Sequence, residues 1–283
     1  MSSTAPAAGP SEEVVRPDVG GTPLWVTLHH PASPPRAAVL LVAPFAMEKV
    51  KAHRTLVAFA RALAQRGLLA VRFDHRGEGD AGGDFADFGF VDRLADLDRL
   101  ITLLTQERGL TRWGGVGLRL GANLLAAAAA RHPGRHPLSL WSPVADGDRL
   151  LQELLHRHVV EQGLRHGRVQ RDGAQLLDAL RVGEPLVVEG FPLTRRLLDE
   201  AALLQLSRLL PACPGPLQWL ELDHRDRPLG PPEAALAALP QVQERTSVLV
   251  GSRFWQDFRY HRPNEPLLFA HSLRFLEETL THG

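Results

Sequence analysis

The sequence predicts an α/β fold: a doubly wound, mostly parallel sheet with helices on both faces. Three observations predict it. Apolar strand-like runs alternate with amphipathic helical stretches from Leu24 to Val144, the pattern of strands joined by crossover helices. The run Ala37–Ala43 is apolar throughout and carries β-branched residues, as a central strand covered on both faces requires. Finally, Trp113–Leu125 reads as a short buried strand, a glycine-forced turn and the start of a helix that continues through an alanine run to Arg131.

Size and composition set the bounds. A chain of 283 residues that is 44% hydrophobic can bury one large core with an inserted subdomain. Its formal net charge is zero, so there is no global electrostatic case for nucleic acid or an anionic membrane. The single cysteine, Cys213, excludes an intrachain disulfide and a cysteine-based zinc site. Met1–Glu13 lacks the basic and apolar regions of a secretory signal. No apolar run is long enough to span a bilayer. The expectation is a cytoplasmic protein without metal or cofactor, with homo-oligomerisation left open.

Taken in order, residues 1–17 are rich in Ala, Pro, Ser and Glu and read as a disordered tail. Leu24–Leu28 alternates as a strand does. Leu56–Gly67 is a helix with Leu56, Phe59, Ala60 and Leu63 on one face and Gly67 as its stop. Leu68–Phe73 is the next strand, and Asp74–Asp80 a glycine-rich turn. Asp92–Gln106 is amphipathic, with Leu94, Leu97, Ile101 and Leu104 at helical spacing. Pro137–Val144 is a further strand. The alternation then stops, and 148–210 reads as a helical lid inserted after the sixth strand, with one strand-like piece at Pro185–Val188. The core, 18–147 and 211–283, resumes with strands at Leu217–Leu222 and Thr246–Val250 and closes with a helix at Leu267–Leu280.

The turn after Trp113–Leu118 carries the chemistry. In the α/β-hydrolase fold this place holds Gly-x-Ser-x-Gly, whose serine is the nucleophile. Here Gly117 and Gly121 are kept and Arg119 stands between them. A guanidinium is always protonated and has no lone pair to attack with. At a helix N-terminus a cation is disfavoured by roughly 0.3–1 kcal/mol unless an anion sits beside it. Two readings stand side by side: a ligand carboxylate or phosphate, or an internal pair with Glu48, Asp74 or Asp146. The ligand reading makes Arg119, its neighbours Leu118 and Leu120, Phe45 and Ala46 of the preceding loop, and Trp255 the contact residues. The acid position after the post-lid strand is supplied by Asp223 and Asp226. If the protein is an enzyme, Glu48, His53 or His261 would act as general base. The glycines of the turn Gly77–Phe85 permit positive φ in a tight loop, with a metal or phosphate as the alternative. His156 and His158, two apart, do not share a helix face, which argues against a metal there.

These residues carry a family likeness. Pro44-Phe45-Ala46-x-Glu48, Gly77-x-Gly79-Asp80-x-x-Gly83-Asp84-Phe85 and Gly117-Leu118-Arg119-x-Gly121-Ala122 are three of its motifs. Trp141-x-Pro143-Val144-x-x-Gly147, Val188-x-Gly190-Phe191-x-Leu193 and Phe254-Trp255-Gln256 complete it. By them the chain resembles the α/β-hydrolase-like proteins called hydrolase 2 of the exosortase A system. The resemblance implies a hydrolase fold with arginine at the elbow and an aromatic-Trp-Gln sequence near the end. Glu78, where that family more usually has cysteine, and Lys49-Val50-Lys51 depart from its pattern. The function expected is that of a serine-less protein binding a small molecule or peptide with an anionic group. An epimerase-type or hydrolytic enzyme using Glu or His, and a non-catalytic regulatory partner, are the alternatives.

Overall fold

The computed structural model describes residues 10–223, 231–250, 253–256 and 265–281. Strands β1 (Ser11–Val15), β2 (Trp25–His30) and β3 (Ala38–Val42) come first. Helix α1 (Met47–Gln65), β4 (Leu69–Asp74), α2 (Phe90–Thr102), β5 (Trp113–Leu118), α3 (Leu120–Arg131) and β6 (Leu138–Trp141) then alternate. An insertion follows: α4 (Gly147–His166), α5 (Gly173–Arg181), the hairpin β7 (Leu186–Val188) and β8 (Phe191–Leu193), α6 (Arg195–Ala201) and α7 (Leu206–Leu209). The sheet resumes with β9 (Leu217–Asp223), then α8 (Pro231–Ala237), β10 (Val242–Leu249) and α9 (Pro266–Thr281).

The eight-stranded sheet has the order β1-β2-β4-β3-β5-β6-β9-β10. β2 runs antiparallel to both β1 and β4, and the remaining neighbours are parallel. β3 is buried at every residue, which is why it reads as an unbroken apolar run. One apolar cluster, including Leu97, Leu125 and Leu151, joins α2, α3 and the insertion to one face of the sheet. A second, including Leu63 and Leu276, joins α1 and α9 to the other. There the Phe59 ring packs against Trp141 and Phe269 at centroid distances of 5.0 and 4.9 Å. No helix among the described residues is long and apolar enough to cross a membrane.

Three elements differ from the sequence expectation. Ser11–Val15, expected within a disordered tail, is an edge strand paired with β2. Its polar side chains are tied by distant arginines: Glu12 accepts from Arg61 at 2.9 Å, and Glu13 from Arg108 at 2.8 and 3.0 Å. Such long-range partners leave no local pattern. Helix α1 starts at Met47, nine residues before the expected start at Leu56. Glu48, Ala52 and Thr55 extend its buried face, and a buried carboxylate breaks an apolar periodicity on paper. The strand-like piece expected at Pro185–Val188 is half of a hairpin whose turn, Glu189-Gly190, has both φ values positive, 49° and 88°. That is the backbone a two-residue hairpin turn requires.

Candidate functional site

β5 ends at Leu118 and α3 begins at Leu120, so one residue must make the whole reversal. Arg119 does so at φ 55°, ψ −125°. The neighbouring strand β3 enters α1 in the same way, through Ala46 at φ 54°, ψ −129°. Two strained turns of one geometry thus sit side by side at the carboxyl edge of adjacent strands. The glycines make room for the first. A Cβ on Gly121 would strike the carbonyls of Val42 and Ala43, and one on Gly117 would strike the Ala122 backbone. Gly121→Ala is therefore expected to destabilise the fold by about 1–3 kcal/mol, because backbone must move. A urea melt that matched the wild type would show the close approach to be dispensable.

The guanidinium of Arg119 meets two carboxylates. Nη2 donates to Glu153 at 2.5 Å, and Nε lies 3.7 Å from Glu48 Oε2. Glu48 is 1% exposed, and its other oxygen accepts from Arg157 at 3.0 Å. Arg149 in turn donates to Glu233 at 2.6 Å. A pattern emerges on α4. Arg149, Glu153 and Arg157, spaced four apart and hence on one face, meet Glu233, Arg119 and Glu48 respectively. A plus-minus-plus stripe docks on a minus-plus-minus row. Of the internal partners considered for Arg119, Glu48 is used. Asp74 instead pairs with Lys49 at 2.7 Å, and Asp146 caps α4 by accepting from the Arg149 N–H at 2.7 Å.

A cavity of about 420 Å³ opens beside this row, at the carboxyl ends of β5, β6 and β9 and next to α4. Arg119, Ser142, Arg157, Glu221, Asp223 and Trp255 are among its walls. Ligands of open α/β sheets occupy this position. Several lining donors are buried without a hydrogen-bond acceptor among the described residues: Nε of Arg119, Arg157 and Arg253, Nη2 of Arg157, and the indole N–H of Trp255; of these, Arg119 Nε lies 3.7 Å from Glu48 and Arg157 Nη2 3.4 Å from Glu189. Trp255 is only 2% exposed. Asp223 accepts from Arg253 at 2.8 Å.

Sequence reasoning missed six of these groups: Ser142, Arg149, Glu153, Arg157, Glu221 and Glu233. Ser142 sits at φ 40° where β6 leaves the sheet. Its hydroxyl accepts from the Leu222 N–H at 2.8 Å and donates to Glu221 at 3.3 Å. The hydroxyl thereby satisfies a β9 backbone donor at the point where the ladder ends. Glu221 is raised above the ordinary carboxylate range by burial; the Ser142 hydroxyl and nearby Arg119 oppose this, and Glu233 adds to it. The only signal for it in the sequence was an acid inside a mostly apolar strand.

The expected contact residues divide. Arg119, Trp255 and Asp223 line the cavity, and Glu48 is buried behind Arg119. Leu118 and Leu120 are fully buried beside it. Ala46 and Phe45 are buried too, but Phe45 packs against Phe85 and Phe90 under the Arg93 guanidinium and does not line this cavity. His53 is exposed on α1 and borders a separate small cleft with Lys49, Arg72 and Asp74. Asp226 and His261 lie outside the described residues.

The glycine turn is closed on itself. Gly77, Gly79 and Gly83 have positive φ, and Glu78 is turned inward to Lys49 at 2.7 Å and Arg93 at 3.0 Å. Behind it, Asp96 accepts from His75 at 3.0 Å and from Arg76 at 2.6 Å. Burial pushes the Asp96 carboxyl up, and His75 and Arg76 more than reverse this. Among the described residues no group of three or more His, Cys, Asp or Glu is placed to hold a metal.

No family model matches the sequence, and no curated protein matches it. Solved structures do. Est1E from Butyrivibrio proteoclasticus, solved with ferulic acid, aligns over 94% of this chain and 99% of its own, with 17% identity and a TM-score of 0.67. The esterase domain of a Rhodothermus marinus protein aligns over 93% and 98%, with 21% identity and a TM-score of 0.61. Proline iminopeptidase from Mycobacterium smegmatis aligns over 95% and 99%, with 16% identity and a TM-score of 0.61. At such identities the likeness speaks for architecture alone. With the mostly parallel sheet and its flanking helices, it establishes that the chain has the α/β-hydrolase fold.

Proposed function

We propose that this protein binds a ligand bearing a carboxylate or phosphate in the cavity beside Arg119, with the insertion as its lid, and works without a serine nucleophile. The observation that carries the reading is the set of buried donors around the cavity that have no hydrogen-bond acceptor among the described residues, Arg119 Nε among them. Buried donors without a hydrogen bond are costly even where a carboxylate stands nearby, and an oxyanion satisfies several at once. The N-terminus of α3 adds its dipole in the same sense. Glu153 is the exchangeable partner: its side chain is 36% exposed, whereas that of Glu48 is 2% exposed. A ligand oxyanion would take the place of the Glu153 carboxylate on Arg119. The motif likeness to the exosortase-associated hydrolase 2 proteins supports an elbow that has given up serine.

The test uses hexanoate and phenyl phosphate as probes in calorimetry, with a fluorophosphonate as a control for serine reactivity. The protein should not be labelled by the fluorophosphonate. Arg119→Gln should weaken the better-bound probe by about tenfold or more, the worth of one charge-assisted hydrogen bond. Glu153→Gln should tighten it. Affinities unchanged in both variants, or labelling of the wild type, would reject the reading. A second reading, proton-transfer catalysis, is favoured by Glu221 rather than by the bases expected from sequence, since it lines the cavity with its acidity lowered by burial.

A further inference from the structure

The anion-binding reading leaves part of the cavity wall unexplained. Besides its arginines the cavity is lined by carboxyl groups, among them Glu221 and Asp223 on β9 and Glu233 on α8. They are not equivalent. Asp223 is compensated by Arg253 at 2.8 Å. Glu233 accepts from Arg149 with Oε1, but its Oε2 is buried without a hydrogen-bond partner among the described residues. Glu221 accepts from the neutral Ser142 hydroxyl, Trp219 and the more distant Arg119 also ease its ionisation, and among the described residues no ion pair is found for it. The two groups feel each other, since Glu233 makes ionisation of Glu221 harder. An acceptor oxygen and a second carboxyl thus border one cavity, and among the described residues neither Glu233 Oε2 nor the Glu221 carboxyl accepts from a cation. The fully buried Trp255, its indole N–H without an acceptor, borders the same space. The cavity therefore has unmet acceptors as well as unmet donors.

We infer that Glu221 and Glu233 form an ammonium subsite, so that the cavity takes a zwitterionic ligand carrying an amine as well as a carboxylate. An ammonium suits the place. It is compact, brings three donors and no acceptor, and needs only single-point contacts from Glu233 Oε2 and the Glu221 carboxyl. A guanidinium would ask for a free two-oxygen face on one carboxylate, and Arg149 already occupies half of Glu233. A cation between two carboxyl groups also relieves their mutual repulsion. The anionic end of the same molecule falls to Arg119, and to that extent the ligand class rests on the proposed function.

The experiment is calorimetry with three matched probe series of four to eight carbons: ω-amino carboxylates, the corresponding carboxylates, and the corresponding primary amines. The wild type should bind the best amino carboxylate at least tenfold more tightly than the carboxylate of equal length. Glu233→Gln and Glu221→Gln, both isosteric, should each erase that advantage without weakening carboxylate binding. If the added amine confers nothing on the wild type, if none of the series binds, or if the advantage survives both variants, the subsite is rejected. The wild-type comparison does not depend on how well either variant folds. The two proposals also fail separately. Amine binding that vanishes in Glu233→Gln, beside carboxylate binding indifferent to Arg119, would keep the ammonium subsite and reject the anion site. Carboxylate binding that needs Arg119 and gains nothing from an amine would do the reverse.

Discussion

Arg119→Ala is expected to lower the unfolding free energy by about 3 kcal/mol, measured by urea denaturation at neutral pH. The cost does not come from the Glu153 pair, whose acid is over a third exposed and screened by water. It comes from Glu48. That carboxylate is 1% exposed, and removing Arg119 leaves Oε2 facing no cation while Arg157 still holds Oε1. A buried charge stripped of one partner typically costs 3–5 kcal/mol, and the surviving Arg157 keeps the loss at the low end. Glu48→Gln on top of Arg119→Ala should recover part of the loss, because the uncompensated charge is then gone. A single variant as stable as the wild type would mean that water reaches Glu48 and that the charge row on α4 contributes little. Raised salt should have a small effect on the Glu48 contacts and a larger one on Arg149–Glu233, where Arg149 is 46% exposed.

Glu78→Ala is expected to cost about 3–5 kcal/mol and to flatten the acid limb of the stability curve. Burial alone would raise the Glu78 carboxyl, but Lys49 and Arg93 overcome it and hold the group at about 2, against an ordinary 4.5. A depressed carboxyl stabilises the fold above its unfolded pKa. That stabilisation is complete above about pH 4.5 and is lost as pH falls toward 2, a swing of about 3 kcal/mol. Acid denaturation of the wild type should therefore steepen below pH 4.5, and the variant should lack that component. A different group governs the window above it. Burial, aided by Arg72, pushes His29 down to about 4 from 6.5. The unfolded chain therefore binds a proton there that the folded one refuses, and stability falls from about pH 6.5 to pH 4 in both proteins. Identical acid limbs in wild type and Glu78→Ala would show that Glu78 is not held as the contacts imply.

How much of the site could be read in advance depends on the distance in sequence over which each feature is decided. The elbow was legible because Gly117, Arg119 and Gly121 fall within five residues and the glycines have no other steric reason to be there. The charge row was not. Arg149, Glu153 and Arg157 share a helix face, but so do charged residues on many solvated helices. Their partners lie 84, 34 and 109 residues away. Glu48 reads as a general base or a partner for Arg119, and only packing shows it buried between Arg119 and Arg157. Phe45 looked like a contact residue because of its loop, whereas its ring belongs to an aromatic cluster with Phe85 and Phe90.

Residue order alone determined the architecture: where strands are buried on both faces, where helices alternate with them, and where glycine must stand for a strand to reverse into a helix. It also determined that a permanent cation, Arg119, stands between Gly117 and Gly121 at the turn from β5 into α3. Only tertiary structure decided which carboxylates meet that cation, that Glu221 and Ser142 face each other across neighbouring strand ends, and that α4 borders the cavity with alternating charges. The reason is physical. Steric and hydrophobic patterning act between near neighbours in the chain, whereas the partner of a charge is chosen by the folded surface that brings it within a few ångströms.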